Sequence, residues 1–326
     1  MKSKILTILR NTEDYVSGQQ LCEQLGVSRT AVWKAVKQLK EEGYEIDSVN
    51  NKGYCLKGIP DVMNQAEIKS QLISKWLGQR LDYFPCLDST NTYLKEIAGK
   101  GAPHGSVAVA DHQTAGKGRL GRSWSSPTGC SVYMSYLLRP DIAPVHASRL
   151  TIVAALATTR AIEEVTGLSA EIKWPNDIVI NKRKVCGILT EMSADMDRIE
   201  YVVIGIGVNV NMTHFEEELS DRATSLRIEC NKEISRLQII VKMLSCFEYY
   251  YEQFIETEDL SAMLSDYNDR LVNRGREVRI VERQKEWKAV ALEMDRDGEL
   301  VVQLPDGTTK KVISGEVSVR GIYGYV

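Results

Sequence analysis

The chain lacks the features that mark a membrane or secreted protein. Its 326 residues contain no run of about 18 apolar residues, so no membrane-spanning helix is predicted. The first residues lack the long apolar stretch and small-residue cleavage site of a secretory signal. The 7 cysteines form no C-x-x-C pair. We therefore predict reduced thiols and a cytoplasmic location.

Several common ligand motifs are also missing. The 4 histidines form no H-x-x-x-H pattern, so no protein-held metal is predicted. The phosphate-binding pattern G-x-x-x-x-G-K-[ST] does not occur, and Gly205-Ile206-Gly207 lacks the third glycine of a dinucleotide fingerprint. The net charge of −3 does not indicate a nucleic-acid binder, so any basic surface must be local.

What is present is typical of a folded protein with more than one domain. Hydrophobic residues make up 43% and charged residues 26% of the chain, which is enough for a sizeable core. The patterns described below predict an α/β (α+β) multidomain protein. We place a helical domain at 1–60, a mixed α/β domain at 66–270 and a β-rich domain at 271–326.

The first sixty residues have the pattern of a winged helix-turn-helix. Ser17 and Gln20 form the S-x-x-Q capping box that begins a short helix, and Gly26 is a natural stop. Ser28 can cap a second helix that continues to about residue 42. A period-2 hairpin follows over 44–56, with its turn at 50–53. Two helices joined by a tight turn and followed by a hairpin predict DNA binding.

The second helix carries the candidate DNA contacts. Between residues 28 and 40 every charged side chain is basic, and residues 1–58 contain nine Lys or Arg against seven Asp or Glu. Basic side chains suit phosphates, and the N-terminal end of a recognition helix meets base edges. The predicted DNA-binding residues are Ser28, Arg29, Thr30, Lys34 and Lys37. A small helical interaction domain, with charges that merely solvate it, is the alternative.

The middle of the chain alternates strands and helices. Continuous apolar runs such as residues 201–204 indicate strands that are covered on both faces. Strands are predicted at 106–111, 131–138, 171–174, 178–180, 184–191 and 201–210. A long helix is predicted at 146–165, and residues 235–270 are predicted to form helices that pack on the sheet.

One glycine-rich element points to an anionic ligand. Residues 116–124 read GKGRLGRSW, in which three glycines alternate with three cations and an indole closes the segment. Glycines let the backbone approach a ligand closely, and cations neutralise phosphates and carboxylates. The aromatic ring can cover a flat or apolar ligand. A basic surface loop without a ligand is the alternative on this stretch alone.

Together with other motifs, this loop resembles the ligand-binding loop of biotin protein ligases. The matching segments are Asp88-Ser89-Thr90-Asn91, Lys173-Trp174-Pro175-Asn176-Asp177, Lys184-Val185-Cys186-Gly187, Gly205-Ile206-Gly207-Val208-Asn209 and Gly315-Glu316-Val317. They occur in the order and at the spacings of that family, over essentially the whole chain. The N-terminal domain resembles that of the bifunctional ligase and repressor subclass. The resemblance implies a class II synthetase-like ligase domain and a C-terminal SH3-like barrel.

The implied reaction joins two anions. Biotin's carboxylate attacks the α-phosphate of ATP to give biotinyl-5′-adenylate, and a carrier-protein lysine then takes the biotinyl group. Cations placed where charge develops must drive the first step. The resemblance implies that Lys184 bridges the carboxylate and the phosphate and that Arg119 assists it, whereas spacing alone would make Lys184 an exposed strand lysine. Asp177 is a candidate base for the acceptor lysine, and Mg²⁺ is expected with ATP.

The resemblance also implies the residues that bind each substrate. The implied biotin-binding residues are Ser89, Thr90, Asn91, Gln113, Lys117, Gly118, Arg119, Trp124 and Lys184. The implied ATP- or adenylate-binding residues are Arg119, Arg122, Trp124, Asn176, Asn209 and Arg320. Lys117 departs from the arginine of many relatives, which keeps the charge but loses a bidentate fork. Helix capping at residues 89–91, and packing or capping at Asn176 and Asn209, are the structural alternatives.

Residues after 276 predict a small β-barrel. Apolar and polar residues alternate there, and Asp297-Gly298 and Asp306-Gly307 are hairpin turn signals. The family barrel implies that Arg320 and the Gly315-Glu316 turn lie near the nucleotide or the docking carrier protein. A purely structural cap is the alternative.

The resemblance implies partners and a regulatory link. The expected partners are a biotin carboxyl carrier protein (of acetyl-CoA carboxylase or pyruvate carboxylase), operator DNA and a second copy of the chain when adenylate is bound. Adenylate would favour the homodimer, and two winged helices would then bind a palindromic operator. The competing hypotheses are a lipoate–protein ligase and a transcription factor that senses biotin without ligating it.

Overall fold

The computed structural model divides the chain into two compact units, 1–73 and 74–326. It describes residues 1–12, 14–49, 52–58, 63–282, 285–313, 317–321 and 325–326, with the side chains of 58, 282 and 317–321 outside that description. The predicted domain boundaries stay predictions.

The first unit contains the predicted helices and wing. Its elements are α1 (Lys2–Arg10), α2 (Gly18–Leu25), α3 (Arg29–Glu41), β1 (Glu45–Val49), β2 (Gly53–Gly58) and α4 (Gln65–Gln71). Strands β1 and β2 pair antiparallel as the wing, and Asn50 and Asn51 of the turn predicted at 50–53 lie outside the described residues. Apolar side chains from α1, α2 and α3 form the buried core.

The turn between α2 and α3 forms as its sequence predicts. Ser17 Oγ accepts from the Gln20 N–H while Gln20 Oε1 accepts from the Ser17 N–H, which completes the capping box. Gly26 ends α2 with φ at 65°, a left-handed conformation that favours glycine. Ser28 Oγ accepts from the Ala31 N–H and begins α3. These caps fix the angle at which α3 leaves α2.

Helix α4 belongs to the first unit although it follows the predicted linker. The Glu67 carboxylate is 1% exposed and pairs with the Arg10 guanidinium of α1. The Tyr44 hydroxyl donates to the same carboxylate. A buried charge must be paired to be tolerated, and Arg10 and Tyr44 meet that requirement here. The compact unit therefore continues to Ile73.

A seven-stranded mixed sheet is the centre of the second unit. Its strands are β3 (Leu81–Phe84), β4 (Ser106–Ala110), β5 (Ser131–Leu138), β6 (Glu171–Lys173), β7 (Asp177–Ile180), β8 (Arg183–Ala194) and β9 (Ile199–Asn209). Their order is β3-β4-β5-β9-β8-β7-β6, and only β3 and β4 are parallel among these pairs. Every residue of β5 is buried, because helices and loops cover both faces. The predicted mixed sheet is confirmed.

Helices cover the sheet and supply the rest of its core. They are α5 (Thr90–Gly99), α6 (Arg149–Thr166), α7 (Glu217–Ser220), α8 (Leu226–Cys230), α9 (Arg236–Thr257) and α10 (Leu264–Asp269). The long helix predicted at 146–165 forms as α6, with a 3₁₀ turn at Pro144–His146 before it. Helices α6 and α9 pack on each other through buried apolar faces. No helix among the described residues is both long and apolar enough to cross a membrane.

The last part of the chain forms a five-stranded antiparallel sheet. Its strands are β10 (Glu277–Glu282), β11 (Lys285–Met294), β12 (Leu300–Gln303), β13 (Thr309–Val312) and β14 (Val317–Gly321), in the order β13-β12-β11-β10-β14. The predicted turns lie between β11 and β12 and between β12 and β13, where Gly298 and Gly307 have φ of 82° and 85°. Trp174 Nε1 donates to the Gly298 carbonyl at 3.0 Å and attaches this sheet to the larger one.

Candidate functional site

Two adjoining cavities lie beside strands β8 and β9. The first, here called the inner pocket, is lined by Ser89, Thr90, Asn91, Gln113, Lys117, Gly118, Arg119, Trp124, Tyr133, Asn176, Lys184 and residues 187–189 and 205–207. The second, here called the outer cavity, has a volume of about 710 Å³, within the size range of small-molecule sites. Four residues line both cavities: Arg119, Trp124, Asn176 and Lys184. The boundary between the cavities is therefore cationic and aromatic.

The polar end of the inner pocket is built around Gln113. Its Oε1 accepts from the Thr90 N–H at 2.9 Å and from the Thr90 hydroxyl at 3.2 Å. Its Nε2 donates to Ser126 Oγ at 3.0 Å. Ser89 occupies the N-cap of α5, but its side chain makes no capping hydrogen bond. The Gln113 amide oxygen thus accepts from a backbone N–H at the start of α5. The Ser89 side chain does not cap this helix, although Ser89 occupies the N-cap position.

Asn91 is held at both ends of its amide. Ser135 Oγ donates to Asn91 Oδ1 at 2.6 Å, and Asn91 Nδ2 donates to Glu191 Oε2 at 2.8 Å. A Cβ at Gly205 would overlap Asn91 Oδ1, so only glycine fits beneath this side chain. Because other side chains of the protein already satisfy the Asn91 amide, Asn91 contributes to the wall of the pocket.

The indole of Trp124 packs against two paired glycines. Gly187 of β8 pairs with Gly207 of β9, and a Cβ at Gly207 would lie 2.5 Å from Trp124 Nε1. A Cβ at Gly187 would lie 2.9 Å from the same ring. Trp124 Nε1 is buried and has no hydrogen-bond partner. An unpaired buried donor costs about 1–3 kcal/mol, so a position that satisfies this N–H would be favoured.

The glycine-basic loop forms a short hairpin over this site. The Trp124 N–H donates to the Gly116 carbonyl at 2.9 Å, and the Gly118 N–H donates to the Arg122 carbonyl at 2.7 Å. At the tip, Leu120 has φ of 58° and is 76% exposed. A left-handed, exposed leucine is costly in a resting loop. The Lys117 ammonium donates to Thr92 Oγ1 at 2.9 Å, which holds one side of the loop to α5.

Arg119 points inward from the loop. Its Nη1 donates to Asn176 Oδ1 at 2.8 Å, and burial lowers the pKa of its guanidinium from the ordinary value. Desolvation of a cation strengthens its attraction for an anion that enters the same space. Asn176 is fixed in turn, because its Nδ2 donates to the Ile188 carbonyl at 3.1 Å. Arg119 is thus poised at the boundary of both cavities.

Lys184 forms an ion pair at the same boundary. Its Nζ lies 2.5 Å from Asp177 Oδ1 and 5.2 Å from the centroid of the Trp124 ring. The other oxygen of Asp177 accepts from the hydroxyl of Tyr325. The Lys173 ammonium lies over the Tyr325 ring, 3.5 Å from its centroid. The Asp177 carboxylate therefore contacts one lysine and one phenol, and a second lysine lies over the ring of that phenol.

The structure brings the predicted site residues together, with one exception. All nine predicted biotin-binding residues line the inner pocket, and Asp177, Arg122, Trp124, Asn176 and Asn209 line the outer cavity. Asn209 Nδ2 also donates to the Thr224 carbonyl at 3.1 Å, which supports a packing role beside the cavity role. The Arg320 backbone pairs with Arg279, but its side chain and the Gly315-Glu316 turn lie outside the described residues. The roles assigned to these residues stay predictions.

Sequence reasoning missed several parts of the site. It assigned no role to Tyr325, Lys173 or the paired glycines Gly187 and Gly207. The glycines could have been found, because two glycines facing each other in neighbouring strands leave room for a flat group. Tyr325 carries no such signal, since 148 residues separate it from Asp177 and only folding brings them together.

The predicted DNA-contact residues lie on one exposed surface of α3. Ser28, Arg29, Thr30, Lys34 and Lys37 are exposed, while Val32, Ala35, Val36 and Leu39 are buried in the core of the unit. Trp33 shares the exposed surface, is 54% exposed and lies 5.6 Å from the Lys37 ammonium. Sequence reasoning gave Trp33 no role, although an aromatic residue among cations suits a nucleic-acid surface.

Family models match three parts of the chain. The biotin/lipoate A/B protein ligase family matches residues 83–209, an HTH domain matches 2–55 and the biotin protein ligase C terminal domain matches 275–320. These matches fall on the mixed sheet, the helix-turn-helix and the five-stranded sheet.

Individual relatives match nearly the whole chain. The bifunctional ligase/repressor BirA of Bacillus subtilis (strain 168) is 40% identical over 94% of this chain and 94% of its own length. That of Escherichia coli (strain K12) is 31% identical over 97% and 96%. A biotin protein ligase from Aquifex aeolicus, solved in complex with biotin and ATP, has a TM-score of 0.66 and 31% identity over 74% of this chain and 99% of its own. The chain belongs to the family of bifunctional ligase/repressor BirA proteins.

Proposed function

We propose that the chain activates biotin with ATP, transfers the biotinyl group to a lysine of a biotin carboxyl carrier protein, and represses transcription in response to the activated intermediate. Ligase and repressor activities are those of its family. One observation carries the residue-level proposal: Arg119 and Lys184 both line the inner pocket and the outer cavity. A carboxylate in the first and an α-phosphate in the second would meet beside these two cations.

In the first half-reaction, an oxygen of biotin's carboxylate attacks the α-phosphorus of ATP. The bond between the α-phosphorus and the bridging oxygen breaks, and pyrophosphate leaves. Both reactants are anionic, so their approach requires positive charge fixed at the meeting point. Lys184 and Arg119 supply it, and Asn176 orients the guanidinium. Arg122 faces the outer cavity, where it would attract the leaving pyrophosphate.

The inner pocket suits a ligand with a polar head and an apolar tail. Thr90 and Gln113 present hydroxyl and amide groups to the ureido head, together with Ser89. A pocket built to hydrogen-bond such a head rejects analogues that lack it. Trp124 can leave the surface of Gly187 and Gly207 and cover the tail or the adenylate. That movement would also let its buried N–H find a partner.

In the second half-reaction, the amine of the carrier lysine attacks the carbonyl carbon of the adenylate, and AMP leaves. The amine has an ordinary pKa of about 10.4 and must lose a proton. Asp177 lines the cavity and is the candidate acceptor of that proton. Because a mixed anhydride hydrolyses in water, the loop at 116–124 must cover it until the carrier docks.

Magnesium would enter with the nucleotide. Among the described residues, no group of three His, Cys, Asp or Glu side chains could hold a metal ion. Mg²⁺ usually keeps several waters and binds substrate phosphates, which requires no protein cage. The cationic lining of the outer cavity suits the phosphates of ATP, and a Mg²⁺ ion held by those phosphates would neutralise part of their charge.

The winged helix would bind operator DNA as part of a homodimer. Adenylate persists when the carrier protein is scarce, and preferential binding of adenylate to the dimer would couple biotin supply to repression. Footprinting on operator DNA tests this link. Equal protection with and without biotin plus ATP would overturn it. A cytoplasmic location fits a protein that meets both DNA and carrier protein.

One assay separates the ligase from its two competitors. The full chain is incubated with ATP, labelled biotin or labelled lipoate, and a carrier domain from acetyl-CoA carboxylase or pyruvate carboxylase. We expect label from biotin on the carrier lysine. Label from lipoate instead would indicate a lipoate ligase, and retention of biotin without transfer would indicate a non-catalytic sensor.

A further inference from the structure

Tyr325 lies in the outer cavity, where it meets Asp177 across a separation of 148 residues in the sequence. Its hydroxyl donates to Asp177 Oδ2, and its ring lies beneath the Lys173 ammonium at 3.5 Å. Burial raises the pKa of the phenol well above its ordinary value, so the O–H stays protonated and can only donate to a carboxylate. Both ends of this side chain are thus fixed by charged partners.

The hydrogen bond from Tyr325 determines which carboxylate oxygen of Asp177 faces Lys184. Asp177 Oδ1 faces the Lys184 ammonium at 2.5 Å and accepts from Asn176 Nδ2 at 3.2 Å. The opposite oxygen, Oδ2, faces Tyr325. Without that donor, Oδ2 would be a free acceptor, and the carboxylate could rotate to hold the ammonium with both oxygens. Tyr325 therefore limits the hold of Asp177 on Lys184 to one oxygen.

The strength of the contact between Asp177 and Lys184 matters because the Lys184 ammonium must bind substrate anions during the reaction. In the proposed first half-reaction, Lys184 bridges the biotin carboxylate and the α-phosphate. A carboxylate that binds the ammonium strongly competes with that bridge. A phenol that donates to the carboxylate draws on its negative charge and weakens the competition.

We propose that Tyr325 is a positioning residue for adenylation, which acts through Asp177 to keep Lys184 available to the reacting groups. The inference rests on the proposed role of Lys184. It adds to the site a side chain that lies outside the glycine-basic loop and the central motifs, four residues after the end of β14.

Tyr325→Phe tests the proposal, because it removes one hydroxyl and keeps the ring beneath the Lys173 ammonium. Adenylate formation is followed in the full chain as pyrophosphate release from biotin and ATP. We expect kcat to fall about tenfold, as for the loss of a hydrogen bond to a charged group. The KM values for biotin and ATP should change less than about twofold, since the bridge by Lys184 matters most in the transition state.

Tyr250→Phe is a matched control. The Tyr250 hydroxyl donates to Asp266 Oδ2 at 2.7 Å, and neither residue lines the two cavities. Both variants lose a tyrosine-to-aspartate hydrogen bond, so their urea midpoints should fall by similar amounts. Only Tyr325→Phe should lose kcat. An equal loss of kcat in both variants would show a general effect on the fold and overturn the proposal.

A double-mutant cycle with Asp177→Asn tests whether Tyr325 affects kcat through Asp177. If Tyr325 acts through Asp177, the double variant should be no more than about twofold slower than Asp177→Asn alone. A further tenfold loss would mean that Tyr325 acts elsewhere. The double variant replaces both partners of the hydrogen bond between Tyr325 and Asp177, so neither partner is lost alone, and the test stays usable if Tyr325→Phe by itself is unstable.

The outcomes also separate this inference from the proposed function. If Lys184→Met abolishes adenylation while Tyr325→Phe leaves kcat within twofold of wild type, the ligase mechanism stands and the inference is wrong. If Lys184→Met retains full adenylation, the proposed role of Lys184 fails, and the inference fails with it.

Discussion

Lys184 Nζ and Asp177 Oδ1 lie 2.5 Å apart at the boundary between the two cavities. Both side chains are mostly buried, with 24% and 15% of their surfaces exposed. The carboxylate thus holds the ammonium in place before any substrate enters. Because the pair reaches both cavities, substitution of either partner should affect catalysis more than substrate binding.

Lys184→Met should reduce adenylate formation at least a hundredfold. The variant keeps an apolar chain of similar length but removes the charge that stabilises the transition state. Pyrophosphate release under saturating biotin and ATP measures the effect. Lys182→Met is the control, because Lys182 is an exposed lysine two residues away that lines neither cavity. Comparable rates in the two variants would contradict the role of Lys184.

Gly207→Ala should impair biotin binding. A Cβ there would lie 2.5 Å from the Trp124 ring, so the indole could not keep its place on the strand surface. We expect the KM for biotin to rise at least tenfold, measured by adenylate formation against biotin concentration. Gly99→Ala, where a Cβ meets nothing within 4 Å, should leave that KM unchanged. A Gly207→Ala enzyme with wild-type KM would show that the indole moves away without cost.

Arg119→Gly should release the intermediate early. The guanidinium is held by Asn176 at the cavity boundary, where it would bind the phosphate of the adenylate. Loss of a charge-assisted hydrogen bond corresponds to roughly a ten- to hundredfold faster release. Gel filtration of the enzyme with labelled adenylate measures retention. Wild-type retention would refute this role of Arg119.

Ligand should protect the loop from trypsin. Lys117, Arg119 and Arg122 offer cleavage sites in a segment whose tip is exposed. If the loop closes over the adenylate, cleavage at 116–124 should slow several-fold when biotin and ATP are added, while cleavage elsewhere changes little. The fragments can be assigned by mass spectrometry. Unchanged cleavage within the loop would count against closure.

Substitutions on α3 should separate affinity for DNA from specificity. Lys34→Ala should weaken binding to all DNA sequences and reduce the slope of log affinity against log salt by about one. Trp33→Ala should weaken binding to operator more than to random DNA, because an indole on the recognition helix that contacts base edges contributes to sequence readout. Lys4→Ala, on α1, is the control. Equal losses on operator and random DNA would assign Trp33 to non-specific contacts.

Local sequence was enough to determine the caps, turns and strands that depend on neighbouring residues. Ser17, Gln20, Gly26 and Ser28 define the helix-turn-helix because each acts within a few residues of its own position. The apolar run at residues 201–204 predicts a strand covered on both faces, and residues 202–204 are buried.

Local sequence could not determine the contacts that form only when distant strands meet. The sequence identified Lys184 and Asp177 separately, but the ion pair between them depends on the pairing of β7 with β8. The position of the Trp124 indole depends on Gly187 of β8 pairing with Gly207 of β9. Tyr325 reaches Asp177 from the far end of the sequence. These contacts depend on strand register and on the path that brings the C-terminal residues back to the sheet. Tertiary packing decides both, because no local sequence pattern encodes them.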